Sequence, residues 1–117
     1  MRIELGLKAL SVNSGFQGRR FKNKLYKQYE IDVSRLLPHI KTITGYIEIH
    51  YIFRLVNWKR TDGDNLTKFL TDILVARGII EDDRFIMKYV IEKEPALEDS
   101  ILIDIVKIDD KVNQSEK

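Results

Sequence analysis

Across residues 45–56 the chain alternates without a break. Ile47, Ile49, Tyr51, Phe53 and Leu55 fall on one side, and Glu48, His50 and Arg54 fall on the other. A period of two marks a strand with one dry face and one wet face, and this is the clearest strand in the sequence. Ile3, Leu5 and Leu7 give residues 2–8 the same reading. Residues 85–93 and 100–108 are rich in β-branched and aromatic side chains. They are separated by turn residues at 95–99, so both are predicted strands. Elsewhere the apolar spacing lengthens to three and four. Leu25, Tyr29, Val33, Leu36, Leu37 and Ile40 predict one amphipathic helix, with Pro38 near its end. Leu66, Phe69, Leu70, Ile73, Leu74 and Ala76 predict a second over residues 65–77, closed by Gly78 in a left-handed conformation. Ser, Asn and two glycines mark residues 11–24 as a loop. The order β-α-β-α-β-β predicts a single α+β domain, a mixed sheet of about four strands with two main helices packed on one face. That domain spans residues 1–108, and residues 109–117 form a polar tail.

A chain of 117 residues is one domain, and 44% hydrophobic with 32% charged residues is enough to build a core. The absence of cysteine excludes disulfides, thiolate chemistry and cysteine-bound zinc. Two histidines, His39 and His50, are too few for an imidazole metal site and read as structural. No apolar run reaches the roughly 18 residues a membrane span needs, and no signal peptide opens the chain, so a cytoplasmic protein without membrane contact is expected. Charge is unevenly placed: residues 1–60 carry a net +8 and residues 61–117 a net −6, within a total of +2. The basic half suggests a polyanionic partner. Arg19, Arg20, Lys22 and Lys24 cluster around the start of the first helix, and Lys59 and Arg60 directly precede an acidic segment, so these six are candidate phosphate contacts.

That acidic segment, residues 59–85, reads KRTDGDNLTKFLTDILVARGIIEDDRF and holds six of the eighteen carboxylates. Capping and solvation account for part of it. Asp64 is a good N-cap, Asp62 suits the positive end of the helix dipole, and Lys68 lies four residues from both Asp64 and Asp72. A second reading is open. Extended residues at 61–64 would point Asp62 and Asp64 the same way. A helix about 20 Å long, followed by about 20 Å of returning chain, would allow Asp83 to come level with Asp64. Carboxylates that meet repel unless a cation joins them, and a site of oxygen donors alone selects Mg²⁺ or Mn²⁺. The chemistry natural to such a site beside a polyanion is metal-assisted hydrolysis of a phosphodiester.

The segment resembles the central motif of the RusA-type Holliday junction resolvases, small Mg²⁺-dependent endodeoxyribonucleases of bacteria and phages. The positions that carry the likeness are Asp62, Asp64, Asn65, Lys68, Asp72, Gly78, Asp82 and Asp83, with Asp83 nineteen positions after Asp64. A weaker likeness covers SVNSGFQGRRFK at residues 11–22. Thr61, Gly63 and Phe85 depart from the pattern, standing where a proline, an aliphatic residue and a glutamine are common. The resemblance implies that Asp62, Asp64 and Asp83 bind Mg²⁺ (or Mn²⁺ in its place). It implies that Lys68 contacts DNA or the charge developing on the phosphate, while Asp72 is read as structural. It also implies a homodimer acting on four-way branched DNA with no small-molecule cofactor. A branched-DNA-binding module that does not cut, and a metal-dependent nuclease of flaps or forks, are the alternative readings.

Overall fold

The computed structural model describes residues 1–12, 16–17 and 21–108, with residues 16–17 and 21–22 given by their backbone alone. Candidate contacts Arg19 and Arg20 and the tail from residue 109 lie outside the described residues, as does the side chain of Lys22. Among the described residues, six strands and two α-helices follow in the order β1 (Arg2–Leu5), β2 (Phe16–Gln17), β3 (Phe21–Lys22), α1 (Lys24–Leu36), β4 (Ile47–Leu55), α2 (Asp64–Ala76), β5 (Ile86–Pro95) and β6 (Ser100–Lys107). A 3₁₀ turn, Asp83–Phe85, precedes β5. The main sheet has four strands in the order β1-β6-β4-β5, while β2 and β3 pair with each other inside the predicted loop. The α+β class and the mixed sheet are as the sequence predicts.

β4 is the axis of the fold. It pairs antiparallel with β6 and parallel with β5, so α2 is the crossover of a βαβ unit. Its alternation is complete: Ile47, Ile49, Tyr51, Phe53 and Leu55 are all buried. They form the core with Leu66, Phe69, Leu70, Ile73 and Leu74 of α2 and with Tyr26, Tyr29 and Val33 of α1. Tyr26 meets Phe69 edge-on at 4.6 Å between ring centres, which ties the two helices together. On the opposite face, His50 pairs with Glu92 at 3.2 Å and Arg54 with Glu94 at 3.4 Å.

Several sequence expectations need correction. The dry stripe of α1 runs through Tyr26, Tyr29 and Val33 to Leu37, while Leu25 and Leu36 are exposed. The stripe holds at Tyr29, Val33 and Leu37, but its first position is Tyr26 rather than Leu25: the Tyr26 ring reaches Phe69 while its hydroxyl stays beside Glu30. α1 ends at Leu36, because Leu37 precedes Pro38 and is extended at φ −71°, ψ 141°, so Ile40 is not on the helix. Ala76, in the last turn of α2, is exposed.

The left-handed closure of α2 is present. Gly78 has φ +71°; its N–H donates to the Val75 carbonyl and the Ile79 N–H donates to the Leu74 carbonyl, a Schellman ending. The returning chain then runs beside residue 43, where the Ile43 N–H donates to the Ile79 carbonyl at 2.9 Å. At its start β5 carries one residue more than β4: Ile86 faces Ile47 but Lys88 faces Glu48, leaving Met87 as a bulge.

Candidate active site

The chain leaves β4 through a turn in which the Arg60 N–H and the Thr61 hydroxyl both donate to the Asn57 carbonyl, at 3.2 and 2.8 Å. The Lys93 ammonium, reaching from β5, donates to the Trp58 and Thr61 carbonyls at 3.0 and 2.8 Å. Lys59 and Arg60 are exposed on this turn, with the Lys59 ammonium 5.5 Å from the centre of the Trp58 ring. Lys24, the first residue of α1, is also exposed.

Asp62, rather than Asp64, caps α2. Its carboxylate accepts from the Asp64 N–H at 3.1 Å and its carbonyl from the Asn65 N–H at 3.2 Å. Asp64 is the first residue of α2, and Gly63 before it already has helical angles but no side chain to cap with, so the capping carboxylate is that of Asp62. The Asp64 carboxylate therefore stands on the first turn, at the positive end of the helix. Gly63 is buried, and a Cβ there would come within 3.0 Å of Ile91 Cγ2, so close approach to β5 and not backbone freedom explains this glycine.

Further along α2, a cavity of about 400 Å³ opens between the helix and the edge strand. Thr67, Lys68, Thr71, Asp72, Asp83, Tyr89 and Ile91 line it. Lys68 Nζ lies 3.8 Å from Asp72 Oδ2. The Thr71 hydroxyl donates to the Thr67 carbonyl at 2.8 Å, so at the 2.6 Å Tyr51–Thr71 contact the phenol is the donor. That buried bond fixes the rotation of α2 and so the face it turns to the cavity. Asp83 enters from the 3₁₀ turn. Its neighbour Asp82 is turned back, accepting from the Arg84 N–H at 3.4 Å and pairing with the Arg84 guanidinium at 3.6 Å. A hydrogen bond shared with Asp82 holds the Asp83 carboxyl above the ordinary range, with the charges of Asp82 and Asp72 adding to it. The same bond holds Asp82 below its ordinary range. Burial first, then Asp83 and Asp72, pushes the Tyr89 phenol up.

Of the predicted catalytic residues, then, the cavity brings together Lys68 and Asp83. Asp62 and Asp64 stand at the head of the same helix and do not line it. Asp72 and Tyr89 line it, although the sequence reading had set Asp72 aside and passed over Tyr89. The signal for Asp72 was its place one turn beyond Lys68.

The family model described as endodeoxyribonuclease RusA matches residues 10–106. The chain belongs to the RusA family. No curated protein matches it. Read as a RusA endodeoxyribonuclease, the departures from the motif acquire local explanations. Thr61 closes the turn through its hydroxyl. Gly63 makes room for Ile91. Phe85 does not line the cavity; it packs edge-on against Tyr46 at 5.5 Å, with Arg84 5.0 Å from its ring centre. Among the described residues, no three acidic or histidine side chains stand close enough to enclose a metal ion. The donor type nevertheless fits a hard dication: the carboxylates offer only oxygen, and Asp72 and Asp83 line the same cavity.

Proposed function

We propose that this RusA endodeoxyribonuclease resolves four-way DNA junctions by paired, symmetric nicks, serving DNA recombination and repair in the cytoplasm of a bacterial cell, encoded by the host or by a phage. The observation that carries this reading is the cavity joining Lys68 to Asp83 at the side of a helix headed by Asp62 and Asp64.

Asp62, Asp64 and Asp83 would hold Mg²⁺, with Mn²⁺ able to replace it. When bound, the ion supplies Lewis acidity and offsets the charge of the phosphodiester. The chain's own groups do the rest. The Lys68 ammonium meets a non-bridging phosphate oxygen and the negative charge that builds there. Asp62, by capping α2, keeps Asp64 on the first turn. Lys24, Lys59 and Arg60 hold the flanking backbone without reading its sequence, and Arg19, Arg20 and Lys22 are further candidates for phosphate contact. Water adds to phosphorus as the bond to the 3′ oxygen breaks, leaving 5′-phosphate and 3′-hydroxyl ends. Because a four-way junction has two-fold symmetry, a C₂ homodimer would place one site on each of two strands.

The test is a synthetic four-way junction incubated with Mg²⁺ and wild-type protein, or with Asp62→Asn, Asp64→Asn or Asp83→Asn. Paired nicks are expected from the wild type alone. Each variant should bind the junction at least as tightly, since each loses a charge that repels phosphate. A variant that nicks at the wild-type rate would remove its residue from the site. Binding without nicks from the wild type would make the chain a non-cleaving module. Stronger cutting of a flap or fork in competition would replace the junction as substrate. Calorimetric titration with Mn²⁺, with and without the junction, reads the ion independently of turnover.

A further inference from the structure

Tyr89 is the only aromatic side chain among the residues lining the cavity beside Asp83. It sits on β5, where its cross-strand neighbour is the buried Ile49, yet 47% of it remains exposed. Packing alone does not explain a tyrosine held half in water at the mouth of a cavity. The bulge at Met87 puts it there by shifting the register, so that Tyr89 and Ile91, rather than Lys88 and Val90, stand on the helix side of the strand. One concave surface therefore combines an ammonium, two carboxylates and an apolar wall made by Tyr89 and Ile91.

A nucleotide has the matching duality, an anionic phosphate and a flat ring. The carboxylates limit where the phosphate can settle, whereas the face of a phenol ring accepts any base. A phenol is neutral at physiological pH and adds no charge against DNA. In continuous duplex both faces of every base are already stacked, and none is free for Tyr89. At a branch point the arms can come apart, and each base at the exchange point then has one face open.

We propose that Tyr89 stacks on the base next to the scissile phosphate, and that this contact selects a strand at a branch over continuous duplex. The inference rests on the endonuclease reading above and names the feature of the substrate that its site recognises. The ring makes the contact, and the hydroxyl is dispensable to it.

The experiment places 5-iodouracil at successive positions around the exchange point of a four-way junction and irradiates each complex with the full chain. At one position the cross-link should fall on Tyr89. It should survive in Tyr89→Phe and vanish in Tyr89→Leu, whose junction Kd should rise about tenfold while its affinity for linear duplex changes less than twofold. Leucine suits a half-exposed strand position, and a melting curve confirms that the variant folds. If the wild type binds and nicks the junction but no position cross-links to Tyr89, or if Tyr89→Leu binds it as tightly, the stacking role is wrong and the endonuclease reading stands. A Tyr89→Phe loss equal to that of Tyr89→Leu assigns the effect to the hydroxyl and also overturns the proposal. A protein that binds no junction at all removes both readings.

Discussion

Lys68 and Asp72 stand 3.8 Å apart on one face of α2, with 62% of the lysine side chain and 33% of the aspartate side chain exposed. A pair this wet contributes about 0–1 kcal/mol. That is too little to lock Lys68 in place and enough to bias it toward the cavity. Lys68→Ala should therefore slow nicking at least tenfold while leaving Mn²⁺ affinity in calorimetry nearly unchanged. Asp72→Asn should shift the unfolding free energy by less than about 1 kcal/mol yet slow nicking several-fold, because Lys68 loses its guide. Single-turnover rates and urea unfolding of the two variants check this, and an unaltered rate in Lys68→Ala would return that lysine to surface duty. The spacing from Lys68 to Asp72 was visible in the sequence, but its meaning was not. A pair four residues apart on a helix looks the same whether it faces open water or a cavity.

At the scale of elements, the head of α2 approaches β5 so closely that a Cβ at Gly63 would press to 3.0 Å from Ile91 Cγ2. Gly63→Val should cost about 1–3 kcal/mol through overpacking. Pairing it with Ile91→Ala should recover more than about 0.5 kcal/mol relative to the sum of the single changes. A double-mutant cycle by chemical denaturation measures the coupling, and strict additivity would show that the two sites do not touch. This contact joins elements far apart in sequence, which is why the departure at Gly63 had no explanation from the motif alone. Elements with one strong pattern were legible: β4 by its alternation, α2 by its stripe and the closing Gly78. In α1 the stripe was legible at Tyr29, Val33 and Leu37, but Leu25 stood in for Tyr26 because a tyrosine buries its ring and wets its hydroxyl, and so gives a weaker apolar signal than leucine. β5 could not be phased because an edge strand is wet on much of both faces and its bulge breaks the period.

For the molecule as a whole, three tyrosines in the core make stability sensitive to alkali. Burial is the first cause of the raised Tyr26, Tyr29 and Tyr51 phenols, with Tyr26 pushed up to about 12 and the other two further. In the unfolded chain they ionise near 10. Between about 10 and 12 the native state thus binds more protons than the unfolded one, and stability falls as pH rises. The contribution is complete below about pH 10 and is lost as pH passes through the folded values. Denaturation midpoints should be level from pH 8 to 9.5 and lower at pH 11, with a shallower slope in Tyr51→Phe. A midpoint indifferent to pH up to 11 would contradict the burial of these rings.

The Met87 bulge has a genetic corollary. Losing that one codon would let β5 pair with β4 residue for residue, with Lys88 still beside Glu48 and Tyr89 still beside Ile49. The cavity mouth would keep its lining and only the bulge would go. Losing the codon for Val90 instead would bring Ile91 beside His50 and turn it away from the helices, so in homologues a deletion is neutral or disruptive according to which side of Tyr89 it falls on.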